Sequence, residues 1–258
     1  MRFQATMPTD LKTHIANFTG WLKAGAGDVP TWQKERKERL AWYRNHLAKD
    51  KIAKLTREDV ATLIKALWAT NFWKNKDYKA GQFLKDNGLD KLRLSLETLL
   101  HGNEPIEKRR DEFRAPVKGL GPSSVSEILT FSDPQQYSLI NLKPYEVLPR
   151  IGFSLGTVKD GKSYKRAVEE IGKVKLLLSE SGLRDADFIQ TDFFIAYLFS
   201  EVFNLQHKRR VVQPAPPTEP EGDQAPDGGP RYCSLPGANN ESDLDQSGPP
   251  LHSSVRAA

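Results

Sequence analysis

The sequence predicts an all-α fold: a multi-helix domain over residues 1–208 that contains a helix-hairpin-helix motif, followed by a disordered tail over 209–258. Three observations carry this. Between residues 11 and 203 apolar side chains recur at spacings of three and four, the period of an amphipathic helix. Alternating β-branched runs are scarce, and Tyr137 to Ile140 is the one short extended candidate. From about Val211 the composition shifts to Pro, Gly, Ser and Asp, as in Gln213-Pro214-Ala215-Pro216-Pro217 and Asp227-Gly228-Gly229-Pro230. Such a segment cannot bury enough apolar surface to offset its ordering entropy.

The helices run in order. Leu11, Ile15, Phe18 and Leu22 form the first stripe, and Leu40, Tyr43 and Leu47 the next. Within the second segment, Trp32 to Arg44 interleaves Glu35 and Glu38 with bases, the pattern of a solvated, ion-paired face. Thr56 followed by Asp59 reads as a capped helix start ahead of Val60, Leu63, Ile64, Leu67 and Trp68. Phe72-Trp73-Lys74-Asn75-Lys76-Asp77-Tyr78-Lys79 reads as a connection between helices, with several lysines, aromatic rings and one acid. Leu89, Leu92, Leu96, Leu99 and Leu100 make another stripe. Val168, Ile171, Val174 and Leu178 make the next, and Phe188, Phe194, Ile195, Leu198, Phe199, Val202 and Phe203 close the series. Within the last, Asp192 is expected to cap a helix with Thr191 or to pair with an arginine.

The most informative stretch lies between the leucine stripe and Tyr137. A charged segment from Glu104 to Arg114 runs into Lys118-Gly119-Leu120-Gly121, and an apolar helix starts at Pro122. Two glycines allow a tight turn and close approach by an anion. Proline suits a first helical position, where an N–H has no intrahelical acceptor. Amides at a helix start lie at the positive dipole end and form a ready anion site. An ordinary helix–helix turn with a glycine cap is the alternative.

Charge divides at the same boundary as composition. Of 38 bases and 33 acids, residues 211–258 hold two and seven, leaving residues 1–210 at net +10 and the tail at −5. A basic body suits a polyanionic partner. Cys233 is the only cysteine, so an intrachain disulfide is excluded and a reducing, cytoplasmic setting is expected. His14, His46, His101, His207 and His252 are scattered without ligand spacing, so no metal is expected. No apolar run reaches the ~18 residues of a membrane span, and Met1 to Ala5 lacks the apolar core of a signal peptide. No Gly-x-x-x-x-Gly-Lys-Ser/Thr motif occurs. No cofactor is expected.

The turn and the residues after it resemble two related families. Lys118-Gly119-Leu120-Gly121, Ser126-Glu127-Ile128-Leu129, Pro134, Tyr137, Ile140-Asn141, Leu148 and Ile151-Gly152 are similar to the amino-terminal region found on some McrB-like restriction ATPases and related prokaryotic defence proteins. The likeness extends to Leu67-Trp68, Asn71-Phe72-Trp73 and Lys76-Asp77 upstream, and to Asp192-Phe193-Phe194 downstream, most of residues 55 to 205. The chain also resembles, more distantly, the helix-hairpin-helix DNA glycosylases. In those, the resemblance implies an amine nucleophile just past the hairpin and a carboxylate in the following apolar run. The two positions fall on Ser123 and Asn141. Neither side chain carries charge at neutral pH, and Asn141 before Leu142-Lys143-Pro144 suits a helix cap.

The resemblance therefore implies a non-catalytic DNA-binding or DNA-sensing module of a restriction or defence system. The expected DNA contacts are Lys118, Gly119, Leu120, Gly121, Ser123 and Ser124 at the turn, extended by Trp73, Lys74 and Lys76. No catalytic residue is expected. A separate AAA-type motor or nuclease subunit is a further implied partner. A divergent glycosylase and a protein-interaction adaptor are the alternatives.

Overall fold

A computed structural model describes residues 9–71 and 73–205; the segment read as a tail, 209–258, lies outside them. Among the described residues there are ten α-helices and no strand. They are α1 (Thr9–Ala24), α2 (Val29–His46), α3 (Arg57–Ala66), α4 (Lys76–Asn87), α5 (Leu89–His101), α6 (Ile106–Arg114), α7 (Pro122–Ser132), α8 (Leu142–Val147), α9 (Gly161–Glu180) and α10 (Phe188–Tyr197). No described helix is long and apolar enough to cross a membrane.

Helix starts follow local chemistry. Thr56 and Asp59 form the expected capping box on α3. Asn141 Oδ1 accepts from Lys143 N–H at 2.9 Å, so Asn141 caps α8 as its position before Leu142 suggests. Asp160 and Ser163 close a second capping box on α9, and Asp187 caps α10.

Helix α7 is the centre of the core. Every residue from Ser124 to Phe131 is buried. It packs on α2, on a 3₁₀ turn at Trp68–Thr70 and on α10, itself buried from Phe188 to Ile195 except at Gln190. The α3–α4, α5–α6, α6–α9 and α9–α10 pairs carry the chain around this centre. The apolar stripes read from the sequence supply the core: Leu11, Ile15 and Phe18 from α1, Leu92, Leu96 and Leu99 from α5, Ile171, Val174 and Leu178 from α9.

Polar side chains fasten α7 to its neighbours. Ser126 Oγ donates to Ser123 O (2.9 Å) and accepts from Ile140 N–H (3.0 Å), tying the segment before α8 to α7. Glu127 is 1% exposed and accepts from Trp68 N–H (2.9 and 3.0 Å) and from the Arg39 guanidinium. That guanidinium also lies over the rings of Trp68 (4.5 Å) and Phe131 (4.0 Å). Burial pushes the Glu127 carboxyl above its ordinary range, against the opposite pull of Arg39 and the Trp68 and Ala69 amides.

Three local expectations change. Arg39 is not on a solvated face of α2; it points inward with Tyr43, while Leu40 is only half-buried. The aliphatic stem and planar head of arginine can be buried when a carboxylate and aromatic faces receive them. Asp192 sits in mid-α10 rather than at a cap, and the groups that act on it are Lys143 and Asn141 rather than an arginine. The connection read over Phe72 to Lys79 is shorter, because Asn75 Oδ1 accepts from Tyr78 N–H (2.9 Å) and starts α4 at Lys76. Phe72 itself lies outside the described residues.

Candidate nucleic-acid interface

Residues 115–121 join α6 to α7. The two helices bury their faces on different neighbours, α6 on α5 and α9, α7 on α2 and α10. The feature that stands out is thus the turn rather than a packed helix pair. Gly119 has φ of +88°, the left-handed region that favours glycine. Gly121 has φ −76° and ψ 173°, an extended conformation open to any residue, and it is the N-cap of α7. A Cβ added at Gly121 would meet nothing within 4 Å. The tightness of the turn therefore rests on Gly119 alone, and Gly121 contributes open space.

The inner side of the turn is anchored. Val117 and Leu120 are buried. A Cβ on Gly119 would come within 3.3 Å of the Phe83 ring of α4. Lys91 Nζ donates to Pro116 O at 2.9 Å. The outer side is exposed at Lys118, Gly119, Gly121 and Pro122. Among the described residues, none accepts a hydrogen bond from the backbone N–H groups of Gly119, Leu120, Gly121, Ser123 or Ser124. Ser123 is half-buried and Ser124 buried, so these two contribute main-chain donors at the first turn of α7 rather than exposed side chains.

A cleft of about 270 Å³ opens beside the start of α7, lined by Pro122, Ser123, Ile140, Asn141, Leu142, Tyr145 and Val158. It brings together Ser123 and Asn141, the two positions singled out by the glycosylase resemblance. No acid, lysine, arginine or histidine lines it. The Asn141 carboxamide bridges inward to the Asp192 carboxyl, which burial pushes up to about 6 against the opposite pull of Lys143 and Asn141. Asp192 is 8% exposed, its Oδ1 is without a hydrogen-bond partner among the described residues, and it does not line the cleft.

The second sequence-nominated patch lies at the other end of α4. Lys74 is exposed, and Trp73 is half-buried against the core. Lys76 Nζ donates to Lys65 O (3.2 Å) and Asn71 Oδ1 (2.9 Å), which commits it to closing the end of α3. The ring presented to solvent is Tyr78, 64% exposed on the first turn of α4. Tyr78 is absent from the contacts expected from sequence. The signal for it was Asn75, a helix-capping residue type that would have put Tyr78 on a first turn. Helix α4 has 12 residues, a length of about 18 Å, and the two patches lie towards its opposite ends.

Among the described residues, no group of three or more His, Cys, Asp or Glu side chains is arranged to hold a metal ion. The chain matches no protein-family model, no curated protein and no solved structure.

Proposed function

We propose that this chain is a non-catalytic DNA-binding or DNA-sensing module of a prokaryotic restriction or defence system. The observation that carries the reading is the Gly-x-Gly turn, exposed at both glycines, whose amides have no acceptor among the described residues and lead into the dipole-positive start of α7. A phosphate oxygen is the acceptor such donors fit, and Lys118 adds a charge beside them. The net +10 over residues 1–210 favours a polyanion at longer range.

Lys74 and Tyr78 extend the contact. A duplex covers the length of α4, about 18 Å, in about five base-pair steps. The restriction or defence setting rests on the resemblance of residues 55 to 205 to McrB-like proteins. A separate AAA-type motor or nuclease subunit would supply chemistry that these side chains do not.

The test is duplex binding across a salt series. Phosphate contacts give a linear fall of log affinity with log salt, about 0.9 per phosphate neutralised. A slope of several is expected. Absent or salt-independent binding would contradict the DNA reading and favour a protein adaptor.

A further inference from the structure

Asn87 belongs to no motif in the sequence, yet it controls the backbone of the turn. It is the last residue of α4 and 5% exposed. Its carboxamide makes three hydrogen bonds. Nδ2 donates to Phe83 O one turn back (2.8 Å) and to Lys118 O (3.0 Å), and Oδ1 accepts from Lys118 N–H (2.8 Å). Both main-chain polar groups of Lys118 are thereby taken by one buried side chain.

This clasp fixes the peptide planes on either side of Lys118. The second of those planes carries the N–H of Gly119, the first of the outward amides. Phe83, from the same turn of α4, backs Gly119 where its φ is +88°. Closing α4 does not explain the arrangement: Gly88 N–H already bonds Leu84 O at 2.9 Å, and two of the three Asn87 bonds go to Lys118. An exposed connection of this length would otherwise have to be ordered on binding, which subtracts from affinity.

Resting on the DNA-binding reading above, we infer that Asn87 is a positioning residue of the phosphate site. Through its paired bonds to Lys118 it holds the turn with the Gly119 to Gly121 amides and the Lys118 side chain aimed at one phosphate. It need not touch DNA itself.

The test compares the full chain with Asn87→Ala, Lys118→Ala and the double variant, by anisotropy of a labelled duplex across a salt series. Asn87→Ala should weaken binding at least tenfold and lower the salt slope by about one, as Lys118→Ala should. The double variant should lose less than the product of the two single losses, because both remove one contact. A residue that only supports the fold would shift the thermal midpoint and leave the slope alone. Should Asn87→Ala fail to fold, amide hydrogen exchange on the wild-type chain decides: Lys118 N–H is protected without DNA, while Gly119, Leu120 and Gly121 become protected only when duplex is added. Wild-type affinity in folded Asn87→Ala, fully multiplicative losses, or a Lys118 amide exchanging as fast as its neighbours would overturn the positioning role. If the wild-type chain shows no salt-dependent binding, the DNA reading fails instead, and Lys118 exchange still judges the clasp.

Discussion

Asp192 is a buried carboxylate that feels the Lys143 charge and the Asn141 amide, and its Oδ1 has no hydrogen-bond partner among the described residues. Its folded value of about 6 lies above the ordinary 3.8. The folded state therefore binds this proton more tightly than the unfolded chain, and its stability falls as pH rises from about 4 to about 6. At about 1.4 kcal/mol per pK unit, ionising Asp192 costs roughly 1–3 kcal/mol at neutral pH. Asp192→Asn should stabilise the protein by that amount at pH 7, and the gain should shrink towards zero near pH 4. Urea unfolding of both proteins across pH checks it; a destabilised variant at pH 7 would contradict the assignment. Residue roles divided by range. The cap at Asn141 was legible because its partner, Lys143, is two residues on. The inward turn of Arg39 and the site of Asp192 were not, because Glu127 and Asn141 meet them only through tertiary packing. The i, i+4 spacing of Arg39, Tyr43 and Leu47 was the one local hint that Arg39 shares the buried stripe.

Elements were legible wherever an apolar stripe had a core to face. The leucines of α5 and the mixed stripe of α9 read directly from the period. Helix α7 did not show its full burial, because Ser124, Ser126, Glu127 and Thr130 look like a polar face until Ser126 and Glu127 find partners on other segments. The approach of α9 to α6 was also hidden. A Cβ on Gly161 would stand 1.8 Å from Glu107 O, so only glycine lets the start of α9 lie against α6, where Asp111 accepts its N–H at 2.8 and 3.0 Å. Gly161→Ala should force the helices apart and cost at least about 2 kcal/mol. In a domain of this size that lowers the thermal midpoint by roughly 5 °C or more. An unchanged midpoint by calorimetry would show that α6 and α9 adjust freely.

Across the whole molecule, the centre of the core and the turn proposed to bind DNA lie at different parts of α7. The core is built around α7 and the proposed turn contacts lie where α7 begins; Val117, Gly119 and Leu120 pack inward, while the exposed Gly121 can change without opening the core. Gly121 is the position where this separation can be exploited. Its backbone is an ordinary N-cap conformation with open space for a side chain. Aspartate is a better N-cap than glycine by a few tenths of a kcal/mol, and its charge suits the dipole. The same carboxylate would occupy the outward amides and repel a phosphate. The most direct measurement is therefore duplex affinity and thermal midpoint of Gly121→Asp beside the wild-type chain. The midpoint should hold or rise while affinity falls at least tenfold, about 1.4 kcal/mol. Unchanged affinity in the folded variant would remove the turn from the DNA contact and contradict the central claim.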